Sequence, residues 1–158
     1  GPAGIALTRQ NVPTFPRGEG EASGDEFASA DLAAKGAYVL ADSPTGAVDV
    51  ILIGTGSEVQ LAVAAREQLA EQGIGARVVS APSLEWFAEQ DDAYRESVLP
   101  ASVKARVSVE AGLAMPWRGI VGDSGRSVSI EHCGASADYK TLFQKFGITT
   151  EAVVTAAH

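Results

Sequence analysis

The chain has 158 residues, of which 46% are apolar and 20% charged, enough to bury one sizeable core and too ordered in composition for a wholly disordered or collagen-like chain. Twelve Lys and Arg against twenty Asp and Glu leave a formal charge of −8, a balance that repels a nucleic-acid backbone or an anionic membrane surface and so argues against either partner. A single cysteine, Cys133, excludes an internal disulfide, and no apolar run approaches the ~18–20 residues that span a bilayer, so a soluble, cytoplasmic protein is expected.

The start Gly1-Pro2-Ala3-Gly4 carries no signal-peptide pattern and no initiator Met, which suggests a fragment. Ile5-Ala6-Leu7 reads as the end of a strand. Pro13, Pro16, Gly18, Gly20 and Gly24, mixed with Glu19, Glu21, Asp25 and Glu26, then form an acidic linker that has too few large apolar side chains to fold alone. We place a boundary near Gly36, which divides the chain into 1–12, a linker 13–36 and a domain 37–158.

Beyond Gly36, strands alternate with helical stretches. Tyr38-Val39-Leu40 is a short strand, and Val48 to Ile53 is a β-branched run of the kind found in a buried central strand, ending at Gly54-Thr55-Gly56-Ser57. From Glu58 to Gln72 the residues Val59, Ala62, Val63, Leu69 and Ala70 share one helical face, and Gly73 supplies a left-handed stop. Ser57 with Gln60, or Thr55 with Glu58, has capping-box spacing over its first amides. Ala76 to Ser80 is the next strand, so strand, helix and strand make a βαβ unit with a right-handed crossover and a parallel sheet. Ser83 opens a short helix containing Trp86 and Phe87, and a second runs from Gln90 to Leu99, stopped by Pro100. Ala105–Val109 and Ser127–Ile130 are strands around a helical stretch from Leu113 to Val121. Tyr139, Leu142, Phe143 and Phe146 fall at i, i+3, i+4 and i+7, an amphipathic helix closed by Gly147 and expected to bury Phe146, and Val153 and Val154 lie in a terminal helix. The whole is a three-layer α/β fold with a mostly parallel sheet.

In such a sheet, ligands sit beyond the carboxyl ends of the strands, where the topology places Gly54 to Ser57, Ser80 to Ser83, Glu110-Ala111-Gly112 and Glu131 to Gly134. The glycine turn fails the dinucleotide pattern because Val59 stands where a third glycine is needed, and the following strand ends in Ser80 instead of an acidic residue. Its amides could hold an anion, but Glu58 opposes one, and a tight structural turn is the simpler reading. Glu110 and Glu131 could form an acid and base pair if their strands are neighbours, although strand-end carboxylates more often cap a helix or meet an Arg. His132 and Cys133 point to opposite sides of an extended chain, which disfavours a nucleophile and base pairing, and no zinc spacing occurs. Trp86, Phe87 and Trp117 read as core or interdomain packing. From the residues alone, the chain is a binding or assembly module, one form of which takes a small anion at the strand-end crevice.

Several segments in order add a family resemblance: Ile5-Ala6-Leu7-Thr8-Arg9-Gln10-Asn11-Val12-Pro13, Gly36 to Leu40, Ile53 to Val59, Arg77 to Ser83, Tyr94 to Pro100, Val109 to Gly112, Gly134 to Ala137, Leu142-Phe143 and Phe146-Gly147. Together they resemble the end of the pyrimidine-binding domain and the carboxyl-terminal domain of transketolases. The resemblance implies an α/β/α sandwich with a five-stranded mixed sheet, four strands parallel and one antiparallel. Tyr38-Val39-Leu40 is our choice for the odd strand, because no long crossover precedes its neighbour. It also implies a homodimeric parent of the pentose phosphate pathway that moves a two-carbon ketol unit between sugar phosphates, using thiamine diphosphate and Mg²⁺. No residue here matches the family's cofactor or metal ligands or its activating glutamate, so none is expected to be catalytic or to bind cofactor, and the chain alone is expected to be inactive. Arg9, in Thr8-Arg9-Gln10-Asn11, is similar to the family's arginine that contacts the sugar phosphate, a role for which a guanidinium fork is suited. The domain itself is left with dimer packing or regulation.

Overall fold

The computed structural model describes residues 4–17 and 26–158. The acidic centre of the expected linker and the first three residues lie outside them. The elements are β1 (Tyr38–Ala41), β2 (Val50–Gly54), α1 (Val59–Glu71), β3 (Ala76–Ser80), α2 (Leu84–Ala88), α3 (Asp92–Val98), β4 (Arg106–Val109), α4 (Arg118–Val121), β5 (Arg126–Val128), α5 (Tyr139–Phe146) and α6 (Thr150–Ala157). The sheet has five strands in the order β1-β3-β2-β4-β5. β2 pairs in parallel with both β3 and β4, β4 with β5, and β1 is antiparallel to β3. The expected mixed sheet and its odd strand are therefore present. The partner of β1 is the strand after next, so the short connection from β1 leads past β3 to the middle of the sheet.

β2 shows why both faces are covered. Its five residues are all buried, and because side chains alternate, Val50 and Leu52 join one core while Ile51 and Ile53 join the other. The first core packs α1 and α6 on the sheet through Val59, Ala62, Leu69 and Val153. The second packs Phe87 of α2, Val98 of α3, and Trp117 and Val121 around α4. Trp86 on α2 is 52% exposed and stands outside that core.

Three expectations are corrected. Ile5-Ala6-Leu7 is irregular and exposed, since no strand among the described residues lies beside it. The capping box does not form: Thr55 makes no side-chain cap, a 3₁₀ turn at Gly56–Glu58 precedes α1, and Gln60 Nε2 instead donates to the Ser57 carbonyl at 2.8 Å. Phe146 is half-buried: α5 lies at the rim of the first core and contains no fully buried residue. Elsewhere the stops act as read, with Gly73 at φ +77° and Gly147 at φ +72° ending α1 and α5. Pro116 is accommodated in a 3₁₀ turn, Met115–Trp117, at the entrance to α4.

Both described ends of the linker dock against the β1 edge. Phe27 is buried and stacks on Phe15 with ring centroids 4.8 Å apart. The Ala28 amide donates to the Leu40 carbonyl at 2.8 Å, and Arg17 Nη1 donates to Tyr38 Oη at 2.7 Å.

Candidate functional site

The carboxyl edge of the parallel strands gathers the turn after β2, the turn after β3, the loop from Glu110 to Trp117 and the segment from Ser129 to His132. Gly54 is required by close approach, because a Cβ there would lie 3.0 Å from Val59 Cα. Gly56 follows with φ +55°, a left-handed conformation that other residues adopt at a cost. The strand thus passes into α1 within a few residues. A cavity of about 240 Å³ opens beside this turn, walled by Gly56, Ser57, Gln60 and Ser80 below and by Pro13, Phe15 and Arg17 of the linker above.

Glu58 lies behind the same turn and is only 6% exposed. Ser57 Oγ donates to one carboxylate oxygen, and the Ala111 amide donates to the other at 3.3 Å, so the side chain reaches from the start of α1 to the end of β4. Burial raises its pKa above the usual glutamate value, and the like charge of Glu110 adds to this, against the opposing effect of the two hydrogen bonds. This reach explains the missing capping box, since a carboxylate drawn toward Ala111 cannot turn back to the Thr55 amide.

Glu110 and Glu131 have separate duties. Trp117 Nε1 donates to Glu110 Oε2 at 2.7 Å. Glu131 Oε1 accepts from the Ala114 amide at 2.7 Å and from Ser129 Oγ at 2.9 Å, and these bonds, the amide first, hold its pKa below the usual value. All three carboxylates therefore fasten one loop, whose register is completed by the Ile130 amide donating to the Gly112 carbonyl at 2.8 Å. His132 Nδ1 donates to the Cys133 carbonyl and its ring meets the edge of Phe146, so His132 is not aimed at the Cys133 thiol. Among the described residues, no group of three or more His, Cys, Asp and Glu side chains is placed to hold a metal ion. Nor, among the described residues, is any helix long and apolar enough to cross a membrane. Arg9 is exposed on the irregular segment before the linker.

These three carboxylates hold the loop at this edge, and the reach of Glu58 to Ala111 is the contact that the reading of Glu58 as a local cap missed. Its sequence signal was a carboxylate placed directly after a fully buried strand and a glycine turn, where a solvated charge has little room.

Comparison with known proteins gives this edge its context. The profile of the family described as the transketolase-like TK C-terminal domain matches residues 36–149. The chain belongs to this family. It is 54% identical over 160 aligned residues to a transketolase of Mycobacterium leprae, covering 99% of this chain and 22% of the relative. A solved transketolase mutant from Pichia stipitis in complex with fructose 6-phosphate superposes with a TM-score of 0.77 at 36% identity, over 94% of this chain and 20% of that one. Transketolase from Leishmania mexicana gives 0.73 at 39% identity, over 80% and 18%. The chain therefore spans about a fifth of the length of these transketolases, and its own fold is that of their carboxyl-terminal domain.

Proposed function

We propose that this chain is the carboxyl-terminal part of a transketolase, a cytoplasmic, homodimeric transferase of the pentose phosphate pathway that passes a two-carbon ketol unit between sugar phosphates. The observation that carries the reading is identity of 54% running through 99% of the chain, including the segment before the linker, in a relative more than four times longer. In this reading residues 1–12 end the pyrimidine-binding domain, 13–36 link, and 37–158 form the carboxyl-terminal domain, which serves dimer packing or regulation. The exposed, apolar Ile5 and Leu7 suit a segment completed by a neighbouring domain.

The residues present do not fit thiamine diphosphate and its metal. The carboxyl edge presents Glu110 and Glu131, whose charges oppose a diphosphate, and no metal-ligand trio occurs among the described residues. The same carboxylates disfavour a stand-alone anion-binding module. Cofactor binding and ketol transfer thus belong to the rest of the parent, and Arg9 is the residue of this chain assigned to the substrate's phosphate. Coupled assays of the full-length protein, with thiamine diphosphate and Mg²⁺, should show ketol transfer between sugar phosphates, while the 158-residue chain shows none. Calorimetry should find no saturable binding of the cofactor to the chain. A full-length protein without transfer activity, or a one-to-one complex of the chain with the cofactor, would overturn the reading.

A further inference from the structure

We propose that Phe15 and Arg17 are positioning residues for Arg9: they fasten the segment that carries Arg9 to the domain, so that its guanidinium is held in place before a sugar phosphate arrives, an inference that rests on Arg9 being the residue that meets the substrate's phosphate. Composition makes this part of the chain a tether, but residues 12–17 are built as an arm. Pro13 and Pro16 fix their own φ at about −65° and bias Val12 and Phe15 before them toward extended backbone, so the run is stiff and has few conformations to lose.

Its side chains are then tied down. Phe15 stacks on the buried Phe27 with centroids 4.8 Å apart and packs against the first core. Arg17 Nη1 donates to the hydroxyl oxygen of the buried Tyr38 at 2.7 Å, and its guanidinium lies over the Phe15 ring, 5.9 Å from the centroid. Arg17 and Phe27 also form an isolated parallel bridge. Phe27 is itself fixed from both sides, because the Ala28 amide donates to the Leu40 carbonyl at 2.8 Å and Glu26 pairs with the largely buried Arg66 at 3.4 Å. Contacts therefore run without a break from β1 and α1 out to the proline-stiffened run.

Arg9 stands four residues before Pro13, a stretch that spans at most about 14 Å. Fixing the run from Pro13 to Arg17 thus confines Arg9, whereas a tether loose as far as β1 would not. Ordering a loose segment at the moment of binding costs entropy that a segment already held has given up, and the cost falls on substrate affinity. A phosphate contact is made about equally in the ground and transition states, so the cost appears in the Michaelis constant and not in turnover.

The test is steady-state kinetics of the full-length parent carrying Phe15→Ala or Tyr38→Phe, the second of which removes only the oxygen that Arg17 holds. At saturating donor, Phe15→Ala should raise the Michaelis constant for a phosphorylated aldose acceptor about five- to thirtyfold, the cost of re-ordering one backbone residue. Tyr38→Phe should raise it about two- to tenfold, the worth of one hydrogen bond, and it decides the matter if Phe15→Ala does not fold. Turnover, and the constants for the same aldose without its phosphate, should stay as they are. Arg9→Ala combined with either substitution should match Arg9→Ala alone, since both act through Arg9. Phe146→Ala, which loosens the same core from α5, should leave the acceptor constants unmoved. If Arg9→Ala by itself does not raise the constant for the phosphorylated acceptor, the assignment of Arg9 fails and the anchoring with it. If Arg9→Ala raises it and neither Phe15→Ala nor Tyr38→Phe does, the assignment stands and the anchoring is overturned. Equal losses toward both acceptors, or full additivity with Arg9→Ala, would also overturn the anchoring, because the two residues would then support the fold as a whole.

Discussion

Arg77 of β3 and Asp42, the residue after β1, form a two-point pair in which Nε meets Oδ1 and Nη2 meets Oδ2, each at 3.0 Å. The same guanidinium donates through Nη1 to the Ser97 carbonyl at 2.8 Å, so one side chain ties the edge strand, its neighbour and the end of α3. Burial alone would raise the Asp42 pKa. The hydrogen bond from Arg77, the Ser43 amide and the charges of Arg77 and Arg66 outweigh that and hold it below the usual value. A lowered acid stabilises the fold above the aspartate pKa of the unfolded chain, and that contribution disappears as pH falls through the lower native value. Urea melts should therefore show Asp42→Asn less stable than the parent sequence at pH 6 to 7, by about 0.2–1 kcal/mol because the carboxylate is more than half exposed, with the difference shrinking as pH falls through the lowered native value. Arg77→Ala should cost more, about 1–3 kcal/mol, since the carbonyls ending α3 lose their donor as well.

Gly36 lies just before β1 and should tolerate no side chain. Its φ is +83°, and a Cβ would lie 2.3 Å from Phe87 N and 2.4 Å from Ser83 O, both backbone atoms of the turn and helix packed on it. Gly46 has the same φ and open space around it. Gly46→Ala should thus cost about 1–2 kcal/mol from conformation alone, and Gly36→Ala on the order of 3–5 kcal/mol, with the excess reporting the clash. Equal costs in thermal melts would show that α2 yields.

Phe146→Ala should destabilise by about 1–3 kcal/mol, below the ~3–5 kcal/mol of a fully buried phenylalanine, because its ring lies at the rim of the core. One edge-on contact, to His132 at a centroid distance of 4.7 Å, joins α5 to the segment after β5. Phe146→Leu should recover most of the loss. A cost under about 0.5 kcal/mol would mean that α5 is not anchored by its apolar face.

The fold was legible where periodicity and punctuation agree. The apolar, mostly β-branched Val50 to Ile53 read as a buried central strand and Val59 to Leu69 with Gly73 behind them as one helix, and the structure has both. Ambiguity remained where local pattern does not report distance from the centre. Tyr139 to Phe146 has the spacing of a core helix, yet it packs at the edge of the sheet, and periodicity is the same in both places. The carboxyl edge was legible as a location but not as a network. Glu58, Glu110 and Glu131 each had several local partners within reach, and what decided among them was the loop from Ala111 to Trp117, which is folded over them by contacts distant in sequence. The box of Thr55 with Glu58 lost its carboxylate to a hydrogen bond spanning 53 positions, whereas the box of Ser57 with Gln60 gave way to local bonds, Gln60 to the Ser57 carbonyl and Ser57 Oγ to Glu58.

Arg9→Ala in the full-length parent should raise the Michaelis constants for phosphorylated sugars far more than it lowers turnover. The phosphate lies at the end of the substrate away from the transferred carbons, so a contact to it is made about equally in the ground and transition states, and its loss weakens binding without touching the chemical step. A charge-assisted bond of this kind is worth about 1.5–3 kcal/mol, roughly ten- to a hundred-fold in kcat/KM. Unphosphorylated acceptors supply the control, since they have nothing for the guanidinium to hold and should react with the variant as with the unmodified enzyme. Equal losses toward both substrate classes would make Arg9 a structural residue. In the 158-residue chain the same substitution should leave stability within about 0.5 kcal/mol, because Arg9 is exposed on an irregular segment.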